Sequence, residues 1–266
     1  MDELVILTGC NGGVGKNTLS LLLENNYKVI GIDIGKTPCI EHKNLRYYQC
    51  DLSDKIGRTL VVELIKKNYD SIYAIINLAG IFMMESIIEG SAKDLEKIIN
   101  VNFFGMYYLN KELFPLLHEG SKIINMSSEI ARYSPQPFMN YYSMSKKMVD
   151  TYTDVLRREC NYIGIKVIKI QSGSMNTNML TIANEEYDNL IENTKYFKSP
   201  LTTLKGMMTK ELKKTNDPKI ISKLILKILT KKNPRICYRV KNSFALRFVN
   251  SLPEKWQDKI YKSVIK

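Results

Sequence analysis

The feature that most constrains this chain is a glycine-rich stretch, Thr8 to Gly15, directly after a short apolar run. The run, Leu4 to Leu7, predicts a fully buried strand, and the leucines from Leu19 to Leu23 predict a buried helix. A strand, a glycine turn and a helix form a phosphate-binding unit, because glycine lets the main chain approach a pyrophosphate and the helix start presents unpaired N–H groups. The first turn is therefore predicted to hold a phosphorylated ligand.

Two kinds of nucleotide-binding loop compete for this stretch. In the frame Asn11 to Thr18 it superficially resembles the ATP-binding P-loop, which needs Gly at its first position and Ser or Thr directly after its lysine. Counted from Lys16, the first position is Cys10 and the position after the lysine is Asn17. The magnesium ligand is therefore missing. A glycine turn with a purely structural role is a third interpretation.

The other frame, Thr-Gly-x-x-x-Gly-x-Gly, is met in full by Thr8, Gly9, Gly13 and Gly15. It resembles the short-chain dehydrogenase/reductase family. The resemblance implies a doubly wound parallel sheet with helices on both faces, the Rossmann fold of the α/β class. It also implies that the loop binds a dinucleotide through Gly9, Asn11, Gly13, Val14 and Gly15.

A carboxylate ends the second predicted strand, Tyr27 to Asp33. Asp33 lies about 20 residues beyond the glycine loop, where an acid accepts hydrogen bonds from the adenosine ribose and repels a 2′-phosphate. This position favours NAD over NADP as the cofactor. The nearby Lys36 would offset part of that repulsion.

The third predicted strand, Arg46 to Cys50, is followed directly by Asp51 and Leu52. These two residues match a pair that in the family lies beside the adenine. For Asp51 a plain helix cap is the alternative, because Ser53 and Asp54 would cap the following helix equally well.

The stretch Asn77-Leu78-Ala79-Gly80 resembles the family's Asn-Asn-Ala-Gly motif, with Leu in the second place. The resemblance implies that Asn77, Ala79 and Gly80 border the cofactor. Farther on, Asn102 matches a family asparagine that disturbs its helix and holds a water in a proton relay.

The predicted catalytic residues are a serine at the end of a strand and a Tyr-x-x-x-Lys pair on the next helix. Only Tyr142 has a lysine, Lys146, four residues on, because Tyr141 has a serine there. Ser128 is the matching serine, and Ser127 is the alternative because the spacing from Ser128 to Tyr142 is one residue longer than is common in the family.

The resemblance also implies what these residues do. Tyr142 exchanges the hydroxyl proton, Lys146 lowers the pKa of Tyr142 and holds the nicotinamide ribose, and Ser128 hydrogen-bonds the reacting oxygen. Thr177 is available for the nicotinamide amide. Residues 178–216 correspond to the family's mobile substrate lid, whose apolar side chains indicate a substrate with a hydrophobic body or simply pack the lid down.

Composition agrees with one dinucleotide-binding domain over residues 1–266. Five scattered cysteines without a Cys-x-x-Cys pair, and a start that enters the first strand without a signal peptide, indicate a reducing cytoplasm. With two histidines no metal site is predicted, and no apolar run approaches the ~18 residues of a membrane span. No nucleic-acid partner is predicted.

Charge is distributed unevenly along the chain. The formal net charge is +12, yet residues 195–266 hold 19 Lys or Arg against four acids, a net of +15. This C-terminal quarter is predicted to face a membrane, an acidic carrier protein or a phosphorylated substrate, unless it is a solvated surface without a partner.

The basic C-terminal tail, residues 241–266, is also amphipathic. On a helix from Pro253, lysines such as Lys259 fall on one side, and Trp256 with other apolar residues falls opposite. Two interpretations stay open. The apolar face packs on the domain or on a partner subunit, or the helix lies peripherally on an anionic membrane.

The sequence therefore predicts hydride transfer between NAD(H) and a secondary alcohol or ketone, a small molecule with a hydrophobic body. The resemblance further implies a homo-oligomer, a dimer or tetramer, formed by the helices that start near Leu95 and Tyr142. The alternatives are an NADP(H)-dependent carbonyl reductase and a catalytically silent protein that binds the dinucleotide.

Overall fold

A computed structural model describes residues 3–212 and 215–265, without the side chains of residues 208–212. The strands within these residues are β1 (Leu4–Thr8), β2 (Lys28–Asp33), β3 (Leu45–Gln49), β4 (Ile72–Asn77), β5 (Leu117–Ser128), β6 (Lys166–Ser172) and β7 (Cys237–Val240). All pair in parallel, in the order β3-β2-β1-β4-β5-β6-β7. The order changes direction at β1, so the carboxyl ends of β1 and β4 border a crevice of the kind in which α/β sheets bind ligands.

The helices of the described chain are α1 (Gly13–Glu24), α2 (Lys55–Asn68), α3 (Ala92–Ile99), α4 (Gly105–Leu113), α5 (Asn140–Cys160), α6 (Asn178–Asn193), α7 (Lys198–Leu212), α8 (Lys219–Thr230), α9 (Phe244–Val249) and α10 (Glu254–Val264). A π-helical turn, Asn100–Phe104, joins α3 to α4.

Alternate residues of each central strand face opposite helical layers. Val5 and Leu7 of β1 pack with α1 and α8, whereas Leu4 and Ile6 pack with α2 and α4. Every residue of β1 is buried, because helices cover both faces of the sheet. The predicted doubly wound parallel sheet is confirmed.

The predicted lid folds into α6 and α7 and packs against the domain. Tyr187 of α6 and Leu201 of α7 are buried in a small core of their own. Between the two helices, the Lys195 N–H donates to the Glu89 carboxylate at 2.7 Å. Apolar residues of the lid therefore serve at least in part to hold it down.

The C-terminal helix α10 docks by a partly polar side. Gln257 is buried and donates to the carbonyl of Leu252 at 2.8 Å, and Gln257 and Tyr261 line a cavity together with Gln136. Trp256 is 61% exposed, so part of the apolar face predicted from the sequence does not pack on the domain. Within the described residues, no helix has the length and apolar character of a membrane span.

Candidate active site

The glycine-rich turn adopts a conformation that excludes a side chain at two positions. Gly9 has a φ of +66°, and a Cβ on it would lie 2.7 Å from the amide nitrogen of Ala79. A Cβ on Gly15 would overlap the carbonyl oxygen of Gly9. The main chain can therefore approach a ligand closely at this turn.

The start of α1 carries no side-chain cap, since Gly12 precedes it. Its first N–H groups and the helix dipole therefore favour an anion there. A Cβ on Gly13 would lie 2.5 Å from Thr177 Cγ2, so Thr177 stands against the loop. The residues present fit a dinucleotide pyrophosphate, which the amides of Gly13, Val14 and Gly15 would hold.

The Asp33 carboxylate is fixed beside this loop by two backbone hydrogen bonds. Its Oδ2 accepts from Asn11 N at 2.9 Å, and its Oδ1 accepts from Gly35 N at 3.1 Å. Lys36 is exposed, and no ion pair joins it to Asp33 within the described residues. The acid expected at the adenosine ribose is thus oriented by the protein itself.

The Asn11 side chain joins three segments in what we call the Asn11 clasp. Its Nδ2 donates to the carbonyl of Thr37 at 2.9 Å and to the Tyr47 hydroxyl at 3.2 Å, and its Oδ1 accepts from Cys39 N at 2.9 Å. The partners lie 26 to 36 residues from Asn11 and no motif links them, so no signal in the sequence indicates these contacts.

The two residues predicted to lie beside the adenine differ in their exposure to solvent. Asp51 is exposed and accepts from the N–H of Ser53 at 2.9 Å, whereas Leu52 is buried. The cap of α2 is Asp54, which accepts from the first-turn N–H groups. The helix-cap alternative for Asp51 is therefore wrong.

Asn77 ends β4, but its side chain is engaged in the core. Its Nδ2 donates to Asn110 Oδ1 at 2.9 Å and to Asn125 Oδ1 at 2.8 Å, and Asn125 Nδ2 donates to Thr153 at 3.0 Å. This amide network joins β4, α4, β5 and α5. The Asn77 Nδ2 group thus has a structural role, and the predicted place of Asn77 beside the cofactor stays a prediction.

Asn102 lies in the π-helical turn, which agrees with the expected disturbance of its helix. Its Oδ1 accepts from Ile81 N at 2.7 Å, and its Nδ2 donates to Ile81 O and to Ser145 Oγ, both at 3.0 Å. Both N–H donors are used within the protein. Asn102 therefore ties the segment after Gly80 to α5.

The two candidate serines lie on opposite sides of β5. Ser127 is 2% exposed, and its Oγ has no hydrogen-bond partner among the described residues. Ser128 is close enough to Tyr142 for its side chain to lower the pKa of the phenol, and its Oγ accepts from Ile130 N at 3.4 Å. The geometry favours Ser128 over Ser127.

The side chains of the two adjacent tyrosines also lie in different environments. Tyr141 is buried with Met83 and Ile98, away from the serine. Tyr142 contacts Ser128, and its ring centroid lies 5.0 Å from that of Phe82. The geometry brings together the pair that the Tyr-x-x-x-Lys spacing indicated.

Lys146 lies on the same face of α5, with its Nζ 5.7 Å from the Tyr142 ring centroid and donating to the carbonyl of Met126 at 3.3 Å. Burial lowers the pKa of Lys146 to about 8, and the negative charge of Asp150 acts in the opposite direction. Asp150 was not predicted, although its i,i+4 spacing from Lys146 was a usable signal.

Burial also dominates at the tyrosine. It raises the pKa of Tyr142 to about 12, and the side chain of Ser128 opposes this increase. At Tyr142 the loss of hydration therefore outweighs the effect of Ser128, and the expected lowering of this pKa by Lys146 stays a prediction.

Comparison with known proteins identifies the family. A family model described as short chain dehydrogenase matches residues 3–188. A probable short-chain type dehydrogenase/reductase, VdlC of Helicobacter pylori, is 26% identical over 268 residues, covering 98% of this chain and 97% of the relative. A 3-ketodihydrosphingosine reductase of Bacteroides thetaiotaomicron is 29% identical over 235 residues, covering 87% of this chain and 85% of the relative.

Solved structures share the fold. A short chain dehydrogenase family protein of Francisella tularensis has a TM-score of 0.77 at 23% identity, covering 91% of this chain and 96% of its own. A 4-hydroxyisoleucine dehydrogenase complexed with NADH scores 0.72 at 21% identity, covering 90% and 97%. ElxO with NADP bound scores 0.69 at 21% identity, covering 91% and 96%. Because both dinucleotides occur on this fold, the fold alone does not select one.

Proposed function

The chain belongs to the short-chain dehydrogenase/reductase family of NAD(P)-dependent oxidoreductases, and we propose that it transfers a hydride between NAD(H) and a secondary alcohol or ketone. The observation that carries this proposal is the grouping of three side chains: Ser128 acts to lower the pKa of Tyr142, and Lys146 Nζ lies 5.7 Å from the tyrosine ring centroid. A phenol paired with a hydroxyl donor at the carboxyl edge of the sheet suits proton exchange with an alcohol oxygen.

Each side chain has a separate role in this proposal. Tyr142 takes the hydroxyl proton during oxidation and returns it during reduction, and Ser128 donates a hydrogen bond to the reacting oxygen. When bound, the dinucleotide supplies the hydride chemistry and the positive charge of its oxidised ring. Because burial raises the pKa of Tyr142 to about 12, that charge and the ammonium of Lys146 must together favour phenolate near neutral pH.

Asn102 acts in the proposal as a positioning residue. Both of its N–H donors are used by Ile81 and Ser145, so the expected relay water would contact the remaining lone pair of Oδ1 or the main chain. The side chain holds α5, and hence Tyr142, against the strand end.

The fixed carboxylate of Asp33 supports NAD as the cofactor. Its two backbone hydrogen bonds hold a negative charge where a 2′-phosphate would lie, and such a charge repels that group. Asp51, Leu52, Ala79 and Gly80 would border the adenosine and the strand end, and Thr177 would meet the nicotinamide amide.

A substrate with a hydrophobic body is supported by the surroundings of Tyr142. The tyrosine packs with Phe82, and the lid core lies against both. Beside the lid, a cavity of about 570 Å³ is lined by apolar residues such as Ile87 and Phe197 and by polar residues such as Asn140 and Glu254. The related 3-ketodihydrosphingosine reductase is named for a substrate that contains a ketone.

A pair of matched variants tests the function. Tyr142→Phe removes the hydroxyl and should lower kcat by at least about 100-fold with little change in NAD affinity, because only the proton carrier is lost. Tyr141→Phe removes the neighbouring hydroxyl and should cost little. The measurement is nicotinamide absorbance over a panel of alcohols and ketones.

Three results would contradict parts of the proposal. An equal loss in both variants would refute the assignment of Tyr142. Tighter binding of NADP than of NAD by the wild type would indicate the NADP(H)-dependent carbonyl reductase. Binding of NAD without turnover of any panel member would indicate the silent dinucleotide-binding protein.

A homo-oligomer is supported by an apolar surface on α4 and α5. Tyr108, Met144 and Val155 are each 39% to 46% exposed, with Phe104 at 37% nearby in the chain. Exposed apolar side chains of this size favour association with a second copy. We expect light scattering to give a multiple of 30.7 kDa at micromolar concentration, and Val155→Glu to lower it. A monomeric wild type would refute this interface.

A further inference from the structure

A second pocket lies away from the glycine loop, and its lining residues have no role in the proposed hydride transfer. Its volume is about 230 Å³, and its lining is Arg132, Tyr133, Arg239, Asn242, Ser243, Phe244 and Arg247. We call it the arginine pocket. It is formed by the loop after β5 and by the chain leaving β7, at the carboxyl edge of the sheet.

The charged side chains that line the arginine pocket are all positive, and the Glu129 carboxylate lies at its edge, on the N–H of Ser243. Arg132, Arg239 and Arg247 line it, and none of the lining residues is acidic. Within the described residues none of these guanidinium groups forms an ion pair. Three like charges around so small a space repel one another, and an anion between them would remove that repulsion.

A second observation concerns Asn242 in the same pocket. Its Nδ2 and Oδ1 are both shielded from solvent and have no hydrogen-bond partner among the described residues. A buried amide without partners costs free energy, so such a group indicates a partner that the protein does not supply. Nδ2 can donate a hydrogen bond to the oxygen of an anion.

The backbone around Asn242 is held in place. The N–H of Ser243 donates to the Glu129 carboxylate, and Gly173 N donates to the carbonyl of Val240 at 2.9 Å. Glu129 directly follows the catalytic serine, and the helical turn Glu129–Ala131 leads to Arg132. The arginine pocket is thus a formed feature next to the catalytic strand.

We propose that the arginine pocket is a binding site for a phosphate group. Guanidinium forks match the oxygens of phosphate, and the Asn242 amide adds a neutral donor. The dinucleotide's own phosphates are not this ligand, because the glycine loop follows β1, four strands or roughly 19 Å from β7. The site does not depend on the proposed hydride transfer.

Two sources of phosphate suit the surroundings. A soluble organic phosphate fits the volume, and it would lie near Ser128 at the substrate side of the sheet. A phospholipid head group fits as well, because Phe244 and Phe248 beside the pocket are 79% and 57% exposed and would contact acyl chains. Both share the same recognition chemistry.

The test is calorimetric titration of inorganic phosphate into the protein with NAD present, at constant low ionic strength. The double variant Arg239→Gln with Arg247→Gln should weaken phosphate binding by more than tenfold. Lys255→Gln with Lys259→Gln removes the same charge outside the pocket and is the matched control. Asn242→Ala should also weaken binding, and thermal unfolding checks that each variant is folded.

Co-sedimentation with vesicles separates the sources. Binding of phosphatidic acid in phosphatidylcholine vesicles, lost in the arginine pair and kept in the lysine pair, would assign a lipid head group. Binding of inorganic phosphate without vesicle binding would assign a soluble phosphate. Equal losses in both pairs, or no binding of either probe, would overturn the proposal.

Discussion

The glycine-loop side and the catalytic side of the sheet are built by different means. Around Gly9 and Gly15, main-chain atoms meet at contact distance and leave no room for a Cβ. Around Ser128, Tyr142 and Asn102, the contacts are made by side-chain groups. The difference teaches that adding an atom should damage the first side, whereas removing an atom should disable the second.

The largest effect is expected from Gly15→Ala, which attacks the glycine-loop side. The new Cβ would overlap the carbonyl oxygen of Gly9, and a backbone group cannot swing away as a side chain can. We expect a loss of roughly 3 kcal/mol or more in the free energy of unfolding, together with loss of NAD binding. Chemical denaturation and titration with NAD measure the two effects.

The control is Gly206→Ala, in α7, where nothing lies within 4 Å of the added Cβ. It should stabilise the protein by about 0.5–1 kcal/mol, because alanine favours helix more than glycine does. If Gly15→Ala were as stable as this control and still bound NAD, the contrast between the two sides would fail.

An intermediate effect is expected from Asp33→Asn, where a side chain acts on the glycine-loop side. The change keeps one acceptor oxygen but removes the negative charge that repels a 2′-phosphate. We expect the ratio of NAD to NADP affinity to fall by about tenfold, equivalent to ~1.4 kcal/mol. An unchanged ratio would mean that Lys36 or the Asn11 clasp, rather than this charge, sets the preference.

The smallest effect concerns the lid on the catalytic side. Burial raises the pKa of Glu186, the charges of Asp94 and Glu185 raise it further, and the charge of Lys97 lowers it. Burial also raises the pKa of Glu85. A carboxyl whose pKa is raised in the folded state opposes folding when ionised, and this penalty disappears as pH falls from the raised pKa to below the ordinary value of 4.5.

Glu186→Gln should therefore stabilise the protein at pH 7 by less than about 1 kcal/mol, and should give no advantage below pH 4. Thermal unfolding across this pH range measures the difference. A variant that is less stable at pH 7 would show that Glu186 has a favourable contact that outweighs its burial.

Local patterns were enough to predict the sheet and the proximity of Tyr142 to Lys146. The apolar runs named the central strands, and the four-residue spacing chose Tyr142 over Tyr141, because a helix brings such residues to one face. The glycine spacing likewise identified the tight turn. These signals lie within a few residues of one another.

Contacts between distant segments were not predictable in this way. The Asn11 clasp and the bond from Ser243 to Glu129 join residues 26 to 114 positions apart, and no periodicity records them. The helical wheel of the tail indicated an apolar inner face, yet Gln257 is buried, where it donates to the carbonyl of Leu252, and Trp256 is exposed.

The amide network beneath the active site has a consequence for the order in which the molecule opens. Its hydrogen bonds connect residues 28 to 48 positions apart, from Asn77 through Asn125 to Thr153, so each needs several elements to be docked at once. The amide protons of β4, β5 and α5 should therefore exchange with deuterium together, at the rate of global unfolding, and those of the lid sooner. Tyr142 is carried by the part of the chain that opens last.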